Sequence, residues 1–255
     1  PLPAAGWEAL TVRPAYQPIV RVADGARMGY EALARPQWGG RAVDPATVFA
    51  LAERADAVVP VDLACLEAVV TDLERRGGWP AGSRLFLNVR LATVRAAGDR
   101  LQALQRRLED VLGGPAWVWE VSEADRFTSA AEWPTLHRLC PPAHWAVDDW
   151  GSGWHDLSRL VDLQPQWLKF DRNWLEVVQL RPAARRLWAD LVRWATDQGC
   201  QVVAEGVETI AERDLVQAVG IPWAQGYFWA RPGFQVPGLP DLPPAVGPAS
   251  DRVAF

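Results

Sequence analysis

The sequence has few of the residues that define several classes of protein. It contains only three cysteines, Cys65, Cys140 and Cys200, and only three histidines. Cysteines so few and so far apart argue against a disulfide framework and against a cysteine-based zinc site, and they suit a protein of the reducing cytoplasm. No apolar run approaches the roughly 18 residues of a membrane-spanning helix, so we expect no membrane segment in this chain. Acidic residues outnumber basic ones by 31 to 26, which argues against binding to duplex nucleic acid.

The chain has the composition of an ordinary globular protein, with 49% apolar and 22% charged residues among 255. Short apolar runs predict strands at 16–20, 27–33, 85–89, 117–121, 144–148, 167–170, 201–204 and 223–227. Amphipathic stretches between them predict helices at 45–56, 60–76, 98–112, 130–140, 182–198 and 209–219. Strands that alternate with helices favour parallel βαβ units, and seven or eight such units predict a closed (β/α)8 barrel.

The first two predicted strands depart from this alternation. They are separated by a short turn around residues 23–26, which permits an antiparallel hairpin but no parallel crossover. We therefore predict an α/β fold, a modified (β/α)8 TIM-like barrel with one antiparallel strand. Residues 1–232 are assigned to the barrel domain, and the proline-rich residues 233–255 to an extended C-terminal tail.

Polar residues stand at the ends of the predicted strands: Asn88, Glu120, Asp148, Lys169, Glu205 and Gln225. They follow one another at about 27 residues on average, which is close to the length of one βα unit. In a barrel, the carboxyl ends of the strands converge on one site. Several charges buried together need partners, because each unpaired buried charge costs several kcal/mol. Metal ions are the obvious partners.

The donor types indicate which metals suit such a site. Glu31, Asn88, Glu120, Asp148 and Asp149 offer hard oxygen ligands, which suit Mg²⁺, Mn²⁺ or Ca²⁺ better than zinc or copper. The adjacent aspartates would let one carboxylate bridge two ions. Two divalent ions close together stabilise the attacking and leaving oxygens of a phosphoester, so the pattern favours phosphodiester hydrolysis.

Seven motifs, in order, resemble the EAL domain, the cyclic di-GMP phosphodiesterase family. They are Gly29-Tyr30-Glu31-Ala32-Leu33-Ala34-Arg35, Leu87-Asn88-Val89, Glu120-Val121-Ser122-Glu123, Asp148-Asp149-Trp150-Gly151, Lys169-Phe170-Asp171, Ala204-Glu205-Gly206-Val207-Glu208 and Gln225-Gly226-Tyr227. The resemblance spans roughly residues 8 to 232. A single Glu-Ala-Leu triplet would mean nothing, but seven ordered motifs are very specific.

The resemblance implies hydrolysis of cyclic di-GMP to linear pGpG, with two Mg²⁺ or Mn²⁺ ions as cofactors. The metal ligands that it implies are Glu31, Asn88, Glu120, Asp148 and Asp149, with Asp148 shared between the ions. Lys169 and Glu205 would position or deprotonate the attacking water.

The resemblance also implies roles around these ligands. Arg35 would hold a substrate phosphate, for which a guanidinium fork is well suited. Gln17 would contact the substrate, and Gln225 would complete the polar shell at the substrate. Glu123, Asp171 and Glu208 would support the site from its periphery.

The sequence departs from the family pattern at two places. The loop after the paired aspartates, Trp150–Leu157, carries His155 and Asp156 where the family usually has serines, and Arg90 stands where the family commonly has serine. Trp150 and Trp154 flank this loop and are the two tryptophans expected to contact a ligand or partner.

These departures keep one rival open, a catalytically inactive EAL-type receptor that binds cyclic di-GMP. A different metal-dependent barrel, such as a lyase, and a pure protein-interaction scaffold are weaker alternatives. The family further implies a homodimer and a fused or associated sensory or cyclase domain.

Overall fold

The computed structural model describes residues 6–122, 144–151, 160–161 and 164–239. Its centre is a sheet of nine strands that closes on itself. The strands are β1 (Leu10–Arg21), β2 (Arg27–Trp38), β3 (Arg41–Ala42), β4 (Arg84–Asn88), β5 (Trp117–Ser122), β6 (His144–Trp150), β7 (Trp167–Phe170), β8 (Gln201–Ala204) and β9 (Trp223–Ala224). Eight of them form the barrel, and β3 only extends the hairpin from the end of β2.

The topology confirms the prediction of a modified barrel with one antiparallel strand. Strand β1 pairs antiparallel with β2 on one side and with β9 on the other. From β2 through β4 to β9, every neighbouring pair in the barrel is parallel. Strand β1 is longer than predicted and begins at Leu10, because its outer half pairs with the length of β2 beyond Leu33.

The described helices are α1 (Pro45–Arg54), α2 (Val58–Arg76), α3 (Leu91–Ala96), α4 (Gly98–Leu112), α5 (Asn173–Leu180), α6 (Pro182–Asp197) and α7 (Ile210–Ala218). Five of them fall where helices were predicted. The two short helices α3 and α5 were not predicted, and the helix predicted at 130–140 lies outside the described residues. Among the described residues, no helix combines the length and the hydropathy that crossing a bilayer requires.

The strands place apolar and polar side chains in successive layers of the barrel interior. A layer of buried apolar side chains fills one end, formed by Ile19, Phe86, Val118, Ala146, Trp167 and Val203. Side chains two residues apart on a strand point to the same face. On each of these strands, a polar residue lies two positions from the apolar one and therefore points to the same face. These polar residues meet in the next layer of the barrel interior.

The C-terminal segment closes the remaining gap beside β1. Strand β9 covers only the end of β1 at Val20 and Arg21, and further along β1 the backbone of Tyr16 exchanges two hydrogen bonds with Gly233. A buried ion pair on α2 fastens this segment: Arg76 donates to Asp72 Oδ2 at 2.7 Å and to the carbonyl of Phe234 at 2.8 Å. Tyr16 donates its hydroxyl to the same carboxylate at 2.7 Å. Strand β1 and the segment that follows β9 are thus joined on one side of the barrel.

Candidate functional site

The polar layer brings together one side chain from each of the eight barrel strands or from the residue that follows the strand. Its members are Gln17, Glu31, Asn88, Glu120, Asp148, Lys169, Glu205 and Gln225. All eight were singled out from the sequence. They lie at the end of the barrel where the parallel strands finish, which is where barrel enzymes place their sites.

Lys169 lies at the centre of this layer and is completely buried. Its Nζ is 2.8 Å from Glu120 Oε1 and 2.8 Å from Glu205 Oε1. It is 2.9 Å from Asp148 Oδ1 and 3.2 Å from Glu31 Oε2. One ammonium group therefore faces four carboxylates.

Two side-chain amides hold the carboxylate of Glu31 in a fixed orientation, and a third amide orients one of these two. Asn88 Nδ2 donates to Glu31 Oε1 at 2.8 Å, and Gln225 Nε2 donates to Glu31 Oε2 at 2.7 Å. Gln225 Nε2 also donates to Gln17 Oε1 at 3.0 Å. Gln17 in turn donates to the carbonyl of Ala230 at 3.1 Å and is almost fully buried. In this arrangement Gln17 orients Gln225. Gln17 also lines the cavity at this layer, and the contact with substrate that the resemblance implies stays a prediction.

The electrostatic environment differs among the acidic groups. Burial raises the pKa of Glu120, and the nearby charges of Glu31 and Asp148 raise it further, although Lys169 opposes them. Burial and Asp148 likewise raise the pKa of Glu205 well above its usual range. For Glu31 burial also favours the neutral form, but Lys169 and the hydrogen bonds from the amides outweigh burial and lower its pKa. The carboxylates therefore lack enough positive charge nearby for all of them to ionise easily.

The paired aspartates have distinct settings. Asp148 is buried, and burial raises its pKa despite the attraction of Lys169. Asp149 is exposed and adopts a left-handed backbone conformation, with φ of 55°. Although Asp149 is exposed as a residue, its carboxyl group is partly desolvated at the site, and this desolvation and the charge of Asp148 raise its pKa to about 6.

The donor set fits divalent cations. Oxygen atoms of Glu31, Glu120 and Asp148 all lie within 4.8 Å of one another, and so do oxygen atoms of Asp148, Asp149 and Glu205. Asp148 belongs to both groups. The two groups together hold five carboxylates and have one ammonium, Lys169, beside them, so added positive charge would relieve the repulsion among the carboxylates. Carboxylate oxygens are the ligands that Mg²⁺, Mn²⁺ and Ca²⁺ prefer.

Two cavities meet at this layer. The polar cavity, of about 460 Å³, is lined by Asp148, Glu205 and Gln225 and, on its outer side, by Asp171 and Glu208. The apolar cavity, of about 260 Å³, lies between the barrel and helices α1 and α2. Its wall is formed by Pro45, Phe49, Leu66, Val69, Arg35 and Arg90, among others. Leu33, Asn88 and Asp149 line both cavities, so a ligand at the carboxylates could extend into either one.

The remaining predicted site residues lie around these cavities. Arg35 is on the wall of the apolar cavity and donates to the carbonyl of Ala34 at 2.9 Å. Asp171 accepts from the backbone N–H of Asn173, the first residue of α5, at 2.9 Å. Glu208 forms an ion pair with Arg172. Glu123 lies outside the described residues.

Sequence reasoning missed three residues beside the site. Arg172 lines the polar cavity, and Asp62 and Arg90 line the apolar one. The departure of Arg90 from the family pattern was a usable signal, whereas Asp62 is brought to the site only by the packing of α2. The expectation for Trp150 was wrong: it is buried and stacks on Trp174 at 5.8 Å between ring centroids, so it belongs to the core. Trp154 lies outside the described residues.

Known proteins that resemble this chain share one domain. The EAL domain family model matches residues 5–232. The probable cyclic di-GMP phosphodiesterase PdeB of Escherichia coli K12 is 27% identical over 224 residues, which are 85% of this chain and 42% of PdeB. The cyclic di-GMP phosphodiesterase PA2567 of Pseudomonas aeruginosa is 29% identical over 222 residues, which are 85% of this chain and 38% of PA2567. The chain therefore spans less than half the length of these relatives.

Solved structures with the same fold include the manganese and cyclic di-GMP complex of Klebsiella pneumoniae BlrP1 at pH 9.0. It superposes with a TM-score of 0.75 and 28% identity over 91% of this chain and 57% of that protein. A calcium and cyclic di-GMP complex of BlrP1 gives the same TM-score and identity over 88% of this chain and 56% of that protein.

Proposed function

The chain belongs to the EAL domain family, and we propose that it is a metal-dependent phosphodiesterase that hydrolyses cyclic di-GMP to linear pGpG. One observation supports this above the others: Asp148 belongs to two groups of carboxylates that meet at the end of the barrel. Such a pair of groups suits two divalent ions that share one ligand. Cyclic di-GMP is the proposed substrate because the relatives PdeB and PA2567 are named for it.

We assign two Mg²⁺ or Mn²⁺ ions to these groups. Glu31, Asn88, Glu120 and Asp148 would hold one ion, and Asp148 with Asp149 would hold the second. When bound, such ions supply positive charge to the scissile phosphate and lower the pKa of the attacking water.

The neighbouring side chains are suited to handle the proton of that water. Glu205 has a pKa raised by burial and by Asp148, so its carboxylate is a suitable acceptor for the proton. Lys169 lies 2.8 Å from Glu205 Oε1 and holds that oxygen in place. Gln225 keeps Glu31 oriented through the 2.7 Å hydrogen bond to its Oε2.

The two cavities suit the two kinds of group in a cyclic dinucleotide. The polar cavity would take the ribose–phosphate ring, and the apolar cavity would take one of the bases. Arg35, on the wall of the apolar cavity, would bind a phosphate, because a planar guanidinium matches the geometry of phosphate oxygens. We expect no binding to duplex nucleic acid, in line with the net charge of −5.

The rival function is binding of cyclic di-GMP without cleavage. Every matched ligand position holds an oxygen donor, which favours the enzyme. The test is to incubate the purified chain with cyclic di-GMP and Mn²⁺ or Mg²⁺, with an EDTA control, and to separate the products by chromatography. Metal-dependent formation of pGpG supports the enzyme. Binding without product in the same samples supports the receptor, and the lack of both contradicts both functions.

The arrangement of the whole protein is also a proposal. Because the chain covers about two fifths of PdeB and PA2567, we expect a sensory or cyclase domain, fused or associated, to control it. A homodimer and a cytoplasmic location remain predictions from the sequence. The assignment of residues 1–232 to the barrel and 233–255 to a tail is proposed on the same basis.

A further inference from the structure

An arginine at the rim of the polar cavity packs against the segment that carries Glu205, the proposed proton acceptor. Arg172 lies two residues after the end of β7, immediately before α5. It lines the polar cavity together with Glu205, Gly206 and Glu208, which follow the end of β8. The side chain of Arg172 contacts this segment at two points, one through its aliphatic part and one through its charged end.

The aliphatic part of the Arg172 side chain packs directly against Gly206. A Cβ atom at position 206 would lie 2.7 Å from the Cβ of Arg172 and 2.9 Å from its Cγ, and its three nearest atoms would all belong to Arg172. Gly206 adopts a left-handed conformation with φ of 68°, which turns the chain directly after Glu205. The stem of Arg172 therefore lies against the turn that follows Glu205.

The charged end of the same side chain holds the far end of the segment. The Arg172 guanidinium forms an ion pair with Glu208. The backbone N–H of Glu208 donates to Glu212 Oε2 at 2.7 Å, which fastens Glu208 to the first turn of α7. At the near end, the backbone N–H of Glu205 donates to the carbonyl of Phe170 at 3.0 Å. Arg172 thus spans the turn between two points at which the backbone is attached.

We propose that Arg172 is a positioning residue, which keeps the Glu205 carboxylate at the distance from the attacking water that proton transfer requires. This inference rests on the proposed function, in which Glu205 accepts that proton. Lys169 holds one oxygen of Glu205 at 2.8 Å, but the direction of the carboxylate also depends on the backbone at positions 205 and 206. Proton transfer needs donor and acceptor within about 3 Å, so a small displacement of this backbone lowers the rate.

Two other roles for Arg172 predict different results. As a contributor to stability alone, the ion pair would matter little, because the Arg172 side chain is 46% exposed and surface pairs of this kind are weak. As a direct contact to a substrate phosphate, Arg172 would change the affinity for cyclic di-GMP. A positioning role predicts a lower kcat at unchanged affinity, because Arg172 then acts on Glu205 and not on the substrate.

The test separates the stem of Arg172 from its charge. Arg172→Ala removes both, Arg172→Met keeps an aliphatic stem, and Arg172→Lys keeps the stem and the charge. The kcat and KM for cyclic di-GMP are measured in Mg²⁺, and the affinity is measured by calorimetry in Ca²⁺. Glu176→Gln is the matched control, because it removes the other carboxylate near Arg172, at 3.6 Å from its Nε, and leaves the segment after β8 intact. Urea denaturation checks that each variant is folded.

Arg172→Ala is expected to lower kcat about tenfold or more and to leave the affinity within about twofold of wild type. Arg172→Lys should recover most of the lost kcat and Arg172→Met part of it, because both keep the stem that packs on Gly206. Glu176→Gln should match wild type. An unchanged kcat in Arg172→Ala, or a loss of affinity as large as the loss of kcat, would show that the assignment of Arg172 is wrong.

Wild type in the same assays separates this inference from the proposed function. If wild type does not cleave cyclic di-GMP, the proposed function fails and the role of Arg172 fails with it. If wild type cleaves cyclic di-GMP and Arg172→Ala cleaves it at the same rate, only the role of Arg172 fails.

Discussion

Asp148 and Asp149 are adjacent in the chain, yet they face different surroundings: Asp148 is buried beside Lys169, and Asp149 is exposed with φ of 55°. The left-handed conformation at Asp149 turns the chain, so that both carboxylates reach the same site. A regular strand would instead point consecutive side chains to opposite faces. This pair underlies two of the predictions.

Replacing Asp148 tests the shared ligand. Asp148→Asn should lower the turnover of cyclic di-GMP about a thousandfold or more. The reason is that Asp148 is the one residue shared by the two clusters of carboxylates, so both proposed ion sites lose a ligand. Calorimetric titration with Mn²⁺ should show weaker binding, while the circular dichroism spectrum stays unchanged. Asp190→Asn, an exposed position on α6, is the control. Near-normal turnover in Asp148→Asn would show that the two-ion assignment is wrong.

The pKa of Asp149 predicts a pH dependence of stability in the metal-free protein. Its pKa is about 6 when folded, against an ordinary value near 3.8, so between these values the folded state binds more protons than the unfolded state. The free energy of unfolding should therefore fall as pH rises from about 4 to about 6. The raised pKa values of Glu120, Asp148 and Glu205 act in the same direction.

Urea denaturation in EDTA at pH 5 and pH 7 measures this effect. Wild type should be more stable at pH 5, and Asp149→Asn, which does not titrate, should lose less stability between the two values. An equal loss in wild type and Asp149→Asn would contradict the assignment of this effect to Asp149.

Lys169 is expected to be essential to the fold when no metal is bound. Lys169→Met removes the ammonium that faces four carboxylates within 3.2 Å, and an uncompensated buried charge costs about 3–5 kcal/mol. Urea denaturation in EDTA should show this loss. Mn²⁺ should restore more stability to Lys169→Met than it adds to wild type, because it replaces the missing positive charge. If the variant matches wild type in EDTA, Lys169 does not balance the carboxylates.

The ion pair on α2 should affect stability without entering the chemistry. Asp72→Ala leaves the buried guanidinium of Arg76 without its carboxylate and removes the acceptor of the Tyr16 hydroxyl, so a loss of about 3–5 kcal/mol is expected. At a temperature where the variant is folded, kcat for cyclic di-GMP should stay close to that of wild type. A selective loss of kcat in fully folded protein would place Asp72 in the catalytic machinery instead.

The sequence predicted the barrel and its polar layer because both depend on a local pattern. On β4, β5 and β7, an inward apolar residue is followed two positions later by Asn88, Glu120 or Lys169. That spacing is visible in the sequence, and the number of repeats indicates a closed barrel.

What the sequence could not indicate depends on contacts between distant elements. Asp62 reaches Arg90 only because α2 packs against α3, the helix that follows Arg90. Gln17 is oriented by the carbonyl of Ala230, 213 residues away. The helices α3 and α5 are six and eight residues long, too short for a clear amphipathic period.

The antiparallel β1 has a consequence for how the protein folds during synthesis. The barrel remains an open sheet until β9 and Gly233 have been made, because these are the partners of β1 on its second side. Gln225 must then find Gln17, 208 residues earlier in the chain, before the orientation of Glu31 is complete. Contacts this distant in sequence form slowly, so a nascent chain would expose two unpaired edges for most of its translation. Assembly of the site is therefore among the last events of folding, whatever the rate of chemistry in the finished protein.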